Sequence, residues 1–388
     1  MNILMVEPDH KSKFPPLGLL KYSAYHKQYG DTVKYHKGLL RTTEKFDVIY
    51  ITTLFSWDAP EAIETINFYK NTHPESQIKV GGILATLMPD YIKEHTGITP
   101  DTGYTRELDQ ILPDYDLMSK GSKFDDYSYV FTSRSCRNGC KFCAVKTLDG
   151  EFWVNPLWKN QVDLRRPKIN IFDNNIVLTP MEHFIDVIQY TIDNKLPIRF
   201  EGGIDFRFVN EEHAKWLAKA PIEYEMMRLA FDDIKYANNF QKKARMLLNN
   251  GVSNTDISVY VLCNFTDSVE ESHYRCREVV KLGIRPIPLF FMPLDHTDKR
   301  GDVRMNKNWT PELIENFKHF YTRGGLWRKK DFFQWIKDPN RNTYVDKEIP
   351  LCDFTPDRTT PYWQEPENEI YMGKDSINNY TYDKLPNM

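Results

Sequence analysis

Ser135-Cys136-Arg137-Asn138-Gly139-Cys140-Lys141-Phe142-Cys143 sets three cysteines in a C-x3-C-x2-C spacing, with no fourth ligand beside them. A β-rich run, Tyr127–Ser133, leads into the loop, and Lys168–Phe172, the next β-rich run, follows it. Three thiolates on one tight loop can hold three irons of a 4Fe–4S cluster and leave the fourth iron open to a ligand. An open iron is a place to bind and cleave something, whereas a closed four-cysteine set is structural or carries electrons. The competing chemistries fit less well. Structural zinc takes four closed ligands, but Cys263, Cys276 and Cys352 stand far away and singly, and no histidine lies near the loop. Three clustered cysteines also cannot pair among themselves as disulfides.

The pattern around the loop is strand then helix, repeated. After Tyr127–Ser133 and Lys168–Phe172 come β-rich runs at Ile198–Glu201, Met226–Phe231, Ile257–Leu262 and Pro286–Met292. Between them, Met181–Asp193 repeats apolar residues at helical spacing. Asn210 reads as an N-cap followed by Glu211 and Glu212. Asp267-Ser268-Val269-Glu270 reads as the opening of a capping box, and Gly251 and Gly283 read as helix stops. Six strand–helix units predict an α/β fold with parallel strands. Upstream, Asn2–Glu7, Thr32–Tyr35, Phe46–Thr53 and Gln77–Val80 are strand-like and alternate with helical stretches at Leu17–His26 and Ala59–Tyr69, which predicts a doubly wound parallel sheet.

The cysteine loop, with Phe142 just before its last cysteine, resembles that of the radical S-adenosylmethionine (SAM) superfamily, including members found in bacteria and phages. The resemblance implies a partial (β/α)6 barrel over residues 120–300. It also implies that Cys136, Cys140 and Cys143 bind the cluster, whose open iron chelates SAM. Reductive cleavage of SAM would then give a 5′-deoxyadenosyl radical that removes a hydrogen atom from a substrate. Pro15-Pro16-Leu17-Gly18-Leu19-Leu20-Lys21 and Val80-Gly81-Gly82-Ile83-Leu84-Ala85-Thr86 resemble the cobalamin-binding-type domain that precedes many such barrels. No D-x-H-x-x-G loop occurs, and Thr102–Asp109 stands where that domain has an acidic, glycine-rich stretch. Residues 1–119 are therefore expected to form a Rossmann-like domain of that type, degenerate and without a corrin site. A C-terminal extension, helical from Thr310-Pro311 to Gly324-Gly325 and irregular beyond Asp338-Pro339-Asn340, is expected over residues 301–388.

Ligands of parallel α/β folds gather at the carboxyl ends of the strands, which ranks the other candidates. Through the resemblance, Phe142, Asp173, Asn174, Glu201, Gly202, Asp205, Arg207, Arg228, Asp232 and Asn264 are expected to bind the SAM cofactor. Asp173 and Asn174, with Asn175, would meet its amino group. Asp232 would reach the ribose and Asn264 the adenine. Gly202-Gly203 would let backbone approach the ligand, and Arg207 could clamp a carboxylate. Against all these stands the plain alternative that Asx residues are favoured at strand ends by turn chemistry. Cys263 and Cys276 read as core residues, while Cys352 could be a site thiol.

Composition narrows the remaining classes. A chain of 388 residues with 41% hydrophobic and 27% charged residues is globular, with room for two domains and an extension. A net charge of −3 gives no overall pull toward nucleic acid, and the basic runs Arg165–Lys168 and Arg328–Lys330 read as solvated surface, with nucleic acid, a peptide and a small metabolite all open as the substrate. No apolar run reaches the roughly 20 residues that span a bilayer. The first residues are too short and uncharged for a signal peptide, so a cytoplasmic location is expected, with a flavodoxin- or ferredoxin-type electron donor implied by the resemblance. Two other readings remain open: a cobalamin-dependent radical SAM methyltransferase, and a non-catalytic, metal-stabilised binding protein. The substrate is not legible.

Overall fold

The computed structural model describes residues 1–12, 14–118, 124–297, 308–322 and 325–339. It is a mixed α/β fold with parallel sheets. The chain separates into two compact units, Met1–Gly202 with Pro293–Arg300, and Gly203–Met292 with Gly301–Met388. The division falls inside the stretch expected to form one barrel and leaves three of its strands in each unit.

The first unit opens with β1 (Asn2–Glu7), α1 (Leu17–Gln28), β2 (Thr32–Lys37), β3 (Val48–Thr53), α2 (Ala59–Thr72) and β4 (Gln77–Gly82). The strands lie in the order β2-β1-β3-β4, all parallel. The central strands β1 and β3 are apolar on both faces because helices cover both. Leu4, Val6, Ile49 and Ile51 pack on one side with Ala62, Ile66 and Tyr69 of α2. Ile3 and Met5 pack on the other with Leu19 of α1. At the carboxyl ends of β3 and β4, Gly82 adopts φ +111°, and a Cβ there would lie 2.1 Å from the Thr53 carbonyl oxygen, so only glycine fits. Two short helices, α3 (Ile83–Leu87) and α4 (Pro89–Thr96), follow it, with Pro89 opening the second.

The same unit carries a second parallel sheet in the order β5-β8-β9. Its strands are β5 (Tyr127–Val130), β8 (Lys168–Ile171) and β9 (Ile198–Phe200). Between the first two lie β6 (Ser133–Arg134), α5 (Val145–Asp149) and β7 (Trp153–Val154), and β6 pairs antiparallel with β7. Helix α6 (Met181–Asp193) spans the expected residues and buries Phe184, Val187 and Ile188. Alternation divides the sheet. Val130, Ile169, Ile171, Ile198 and Phe200 share one apolar face, while Tyr127, Tyr129, Asn170 and Arg199 share the other. The expected strand Tyr127–Ser133 is broken after Val130. Thr132 and Ser133 turn their donors onto a side chain, as described below, instead of continuing the ladder.

In the second unit, β10 (Met227–Ala230), β11 (Ile257–Cys263) and β12 (Arg285–Phe290) form a parallel sheet in chain order. Between its strands run α8 (Ala237–Asn249) and α9 (Val269–Val280), and α7 (Glu211–Leu217) precedes it. The Asn210 cap holds, and the capping box of α9 lies one residue beyond the Asp267–Glu270 pair. Asn210 caps α7 reciprocally with His213, and Ser268 caps α9 reciprocally with Glu271. Arg275 of α9 is wholly buried and ties the strand ends, giving hydrogen bonds to the Phe231 and Leu262 carbonyls at 2.8 and 2.7 Å and to Asp267 at 2.9 Å. Cys263 and Cys276 are core residues, as expected.

The C-terminal part adds α10 (Pro311–Thr322), α11 (Leu326–Lys329) and α12 (Phe332–Ile336). His273 of α9 bonds Asp331 at 2.7 Å and the Tyr321 hydroxyl at 2.7 Å, fastening these helices to the unit. Cys352 and the expected irregular tail lie outside the described residues. Among the described residues, no helix is long and apolar enough to cross a membrane.

Candidate functional site: the cysteine loop and its base

The cysteine loop leaves the carboxyl end of β5 and is closed at its base by charged and polar contacts from distant parts of the first unit. Phe131 comes first, with the Arg134 guanidinium 3.3 Å and the Lys21 ammonium 4.9 Å from its ring centroid. Next, Thr132 gives both its backbone N–H (2.6 Å) and its hydroxyl (2.5 Å) to the Asp173 carboxylate, and Ser133 gives its hydroxyl (2.7 Å). Asp173 is buried, and burial outweighs these bonds and pushes its carboxyl up to about 6. The residue expected to meet SAM at the end of β8 thus spends its carboxylate on fixing the start of the loop.

Arg134 follows, half-buried between two acids. Its Nε and Nη2 donate to Asp109 at 2.6 and 3.0 Å, and its Nη1 lies 3.4 Å from Asp149. Lys21 of α1 joins the same Asp109 at 2.5 Å. Burial pulls the Lys21 ammonium down to about 8, with Asp109 offsetting part of that. Burial opposes the Asp109 charge too, but Arg134 and Lys21 outweigh it and hold the carboxyl below its usual range. Ser135 then takes φ +66°, left-handed backbone that a serine adopts at a cost of about 1–2 kcal/mol. It is held there from the far end of the loop. Its N–H donates to Asp149 at 3.2 Å and its hydroxyl to the Gly150 carbonyl at 2.6 Å. Asn174, past the end of β8, donates to the same Asp149 carboxylate at 2.7 Å.

Within the closed loop, Cys136 and Cys140 are half-buried and Cys143 is exposed. The Asn138 N–H points at the Cys136 sulfur at 3.4 Å, and the Cys143 N–H donates to the Cys140 carbonyl at 3.1 Å. Phe142 is half-buried between the last two cysteines. Three thiols and a backbone N–H directed at sulfur are the donor set an iron–sulfur cluster takes. Among the described residues, no three Cys, His, Asp or Glu side chains are gathered closely enough to hold a metal ion.

Other candidates sit near this base. Gly202 presses so closely on the end of β8 that a Cβ there would lie 2.0 Å from the Asp173 carbonyl oxygen. Its close approach is to protein backbone. Glu201 accepts from Asn170 at 3.1 Å and pairs with Arg199 at 3.0 Å, on the polar face of the sheet.

The second unit holds a separate group. Asp205 and Arg207 form a fork (Nε–Oδ1 2.8 Å, Nη2–Oδ2 2.5 Å), with Arg207 over the Tyr236 ring. Burial raises the Asp232 carboxyl to about 6, with Arg275 and Arg207 opposing the rise and Asp205 and Asp233 adding to it. Arg228 lies 5.5 Å from the Tyr260 ring centroid. Asn264, at φ +61°, donates to the Phe291 carbonyl at 3.2 Å. Residue-by-residue reading missed Lys21, Asp109, Arg134, Ser135 and Asp149. The adjacency of Arg134 and Ser135 to Cys136 was the one signal that could have drawn attention to them. No protein-family model and no curated protein matches the chain.

Proposed function

We propose that the chain is a radical SAM enzyme. The observation that carries this reading is the three-cysteine loop set at the carboxyl end of the first strand of a series of parallel strands, closed at its base and without a fourth thiolate. Taken in chain order, β5, β8, β9, β10, β11 and β12 are the six strands a partial (β/α)6 barrel needs. The sheet β2-β1-β3-β4 is then the Rossmann-like, cobalamin-binding-type domain, without the motif that would hold a corrin. Cys136, Cys140 and Cys143 would bind three irons of a 4Fe–4S cluster. With the cluster and SAM bound, the chemistry supplied is reductive cleavage of SAM and removal of a hydrogen atom from a substrate, with electrons from a flavodoxin- or ferredoxin-type donor.

The residues of this chain do the positioning. Asp173 fixes the chain entering the loop, and Asp149 fixes Ser135 so that Cys136 leaves the strand end in one direction. Glu201, Asn174, Asp205, Arg207, Arg228, Asp232 and Asn264 are the side chains from which the SAM and substrate contacts would come. The test is anaerobic reconstitution with iron and sulfide, then incubation with SAM and a strong reductant. About four irons and four sulfides per chain, release of 5′-deoxyadenosine, and loss of both when all three cysteines become alanine are expected. One zinc per chain in protein purified without oxygen would sink the proposal.

A further inference from the structure

A cavity of about 670 Å³ opens in the first unit, within the range of roughly 300–1,000 Å³ typical of small-molecule sites. One wall is built just past the carboxyl end of β4 and the other from the end of α5. The first wall is rigid at its centre: Thr86 donates its hydroxyl to the Gly82 carbonyl at 2.8 Å and accepts from the Gly103 N–H at 2.9 Å. Most of the charge in and behind the walls is matched internally, since Asp149 is met by Arg134 and Arg134 by Asp109. That leaves one exposed cation, Arg106, and one exposed anion, Glu151, lining the opening. The Arg106 guanidinium carbon lies 5.6 Å from the Trp153 ring centroid and the group meets the Tyr104 hydroxyl, and with five N–H donors it has others for an oxyanion. Pro89 and Leu148 supply apolar lining.

We propose that this cavity binds a zwitterionic small molecule, an amino acid or the end of a short peptide. Its carboxylate meets Arg106, its ammonium meets Glu151 and an aliphatic side chain lies against Leu148 and Pro89. The balance of one cation and one anion selects against a simple anion, which Glu151 repels, and against a simple amine, which Arg106 repels. Because Asp149 lines the same cavity, an occupant rests on the segment that closes the cysteine loop. The inference goes beyond the radical SAM reading and stands without it.

Calorimetric titration of the full chain tests it without any need for a cluster, so failure of the iron–sulfur proposal leaves this test intact. The probes are leucine, leucyl-leucine, leucinamide, 4-methylpentanoic acid and inorganic phosphate. Leucine or leucyl-leucine is expected to bind, and which of the two binds more tightly identifies a free amino acid or a peptide end. Leucinamide and the amine-free acid are each expected to bind roughly ten- to hundred-fold more weakly, because each lacks one charged hydrogen-bonding group. Arg106→Gln and Glu151→Gln, both at exposed positions, are expected to keep the melting temperature and lose a similar factor for the zwitterion. Equal binding of the amide or the acid, preference for phosphate, unchanged affinity in both variants, or no binding of either zwitterion up to about 10 mM would overturn it.

Discussion

Replacing Asp149 by alanine tests whether the cysteine loop is held by its base. The carboxylate accepts from Asn174 at 2.7 Å and Ser135 at 3.2 Å, with Arg134 at the longer 3.4 Å. Hydrogen bonds to a charged group are each worth about 1.5–3 kcal/mol, so the two shorter ones represent roughly 3–6 kcal/mol. The Asp149 side chain is 11% exposed, so water would replace part of this, leaving a net loss of about 2–4 kcal/mol. The left-handed backbone of Ser135 costs about 1–2 kcal/mol. In the variant, only the neutral bond from the Ser135 hydroxyl to Gly150 would oppose that strain, and such a bond is worth about 1 kcal/mol. The balance changes sign, and Ser135 is expected to relax and carry Cys136 out of position. Hydrogen exchange reads this directly. Amides of residues 135–143 are expected to exchange roughly 30- to 700-fold faster, while those of β11 in the other unit stay unchanged. Iron content after reconstitution should fall in parallel. Unchanged exchange in the loop together with full iron loading would refute the reasoning, because it would mean that Ser135 keeps its conformation without Asp149.

Two further outcomes are expected. Asp173 has a folded-state pKa of about 6 against an ordinary 3.8, so the folded chain holds this proton more tightly than the unfolded one. Its contribution is therefore fully present below about pH 4 and is lost as pH rises through 6, a change of about 2–3 kcal/mol. The difference in denaturant stability between wild type and Asp173→Asn should accordingly vary with pH between 4 and 6 and be flat above. A pH-independent difference would place a different group behind the titration. Hydroxocobalamin mixed with the protein and then desalted should leave no stoichiometric corrin spectrum. One corrin retained per chain would instead favour the methyltransferase reading.

Much of the fold was legible because it rests on local pattern. The apolar runs of β1, β3 and β11, the helical repeat of Met181–Asp193, and the caps at Asn210 and Ser268 depend on neighbours a few residues away, which a sequence displays directly. The break after Val130 does not. Thr132 and Ser133 favour a strand by composition, and only the arrival of Asp173, 41 residues from Thr132, turns their donors out of the ladder. The base of the loop was hidden for the same reason. Lys21 and Asp109 are 88 residues apart, and each alone reads as a surface charge.

The buried charges explain why such residues persist where they cost desolvation. A buried ion pair is weak support for stability, but it can fix a conformation when removing one partner strands the other. Here Lys21 from α1, Asp109 from the segment after α4, and Arg134 from β6 meet at one point. Loss of Asp109 would leave the buried Lys21 ammonium facing the Arg134 guanidinium. The N-terminal part of the first unit therefore does more than form the sheet β2-β1-β3-β4: it supplies the Asp109 carboxylate that sets Arg134 and the Lys21 ammonium that pairs with the same carboxylate, and Arg134 stands two residues before Cys136. On this argument the N-terminal segment is part of the loop's mounting. A chain truncated before β5 would keep all three cysteines and lose the geometry that aims them.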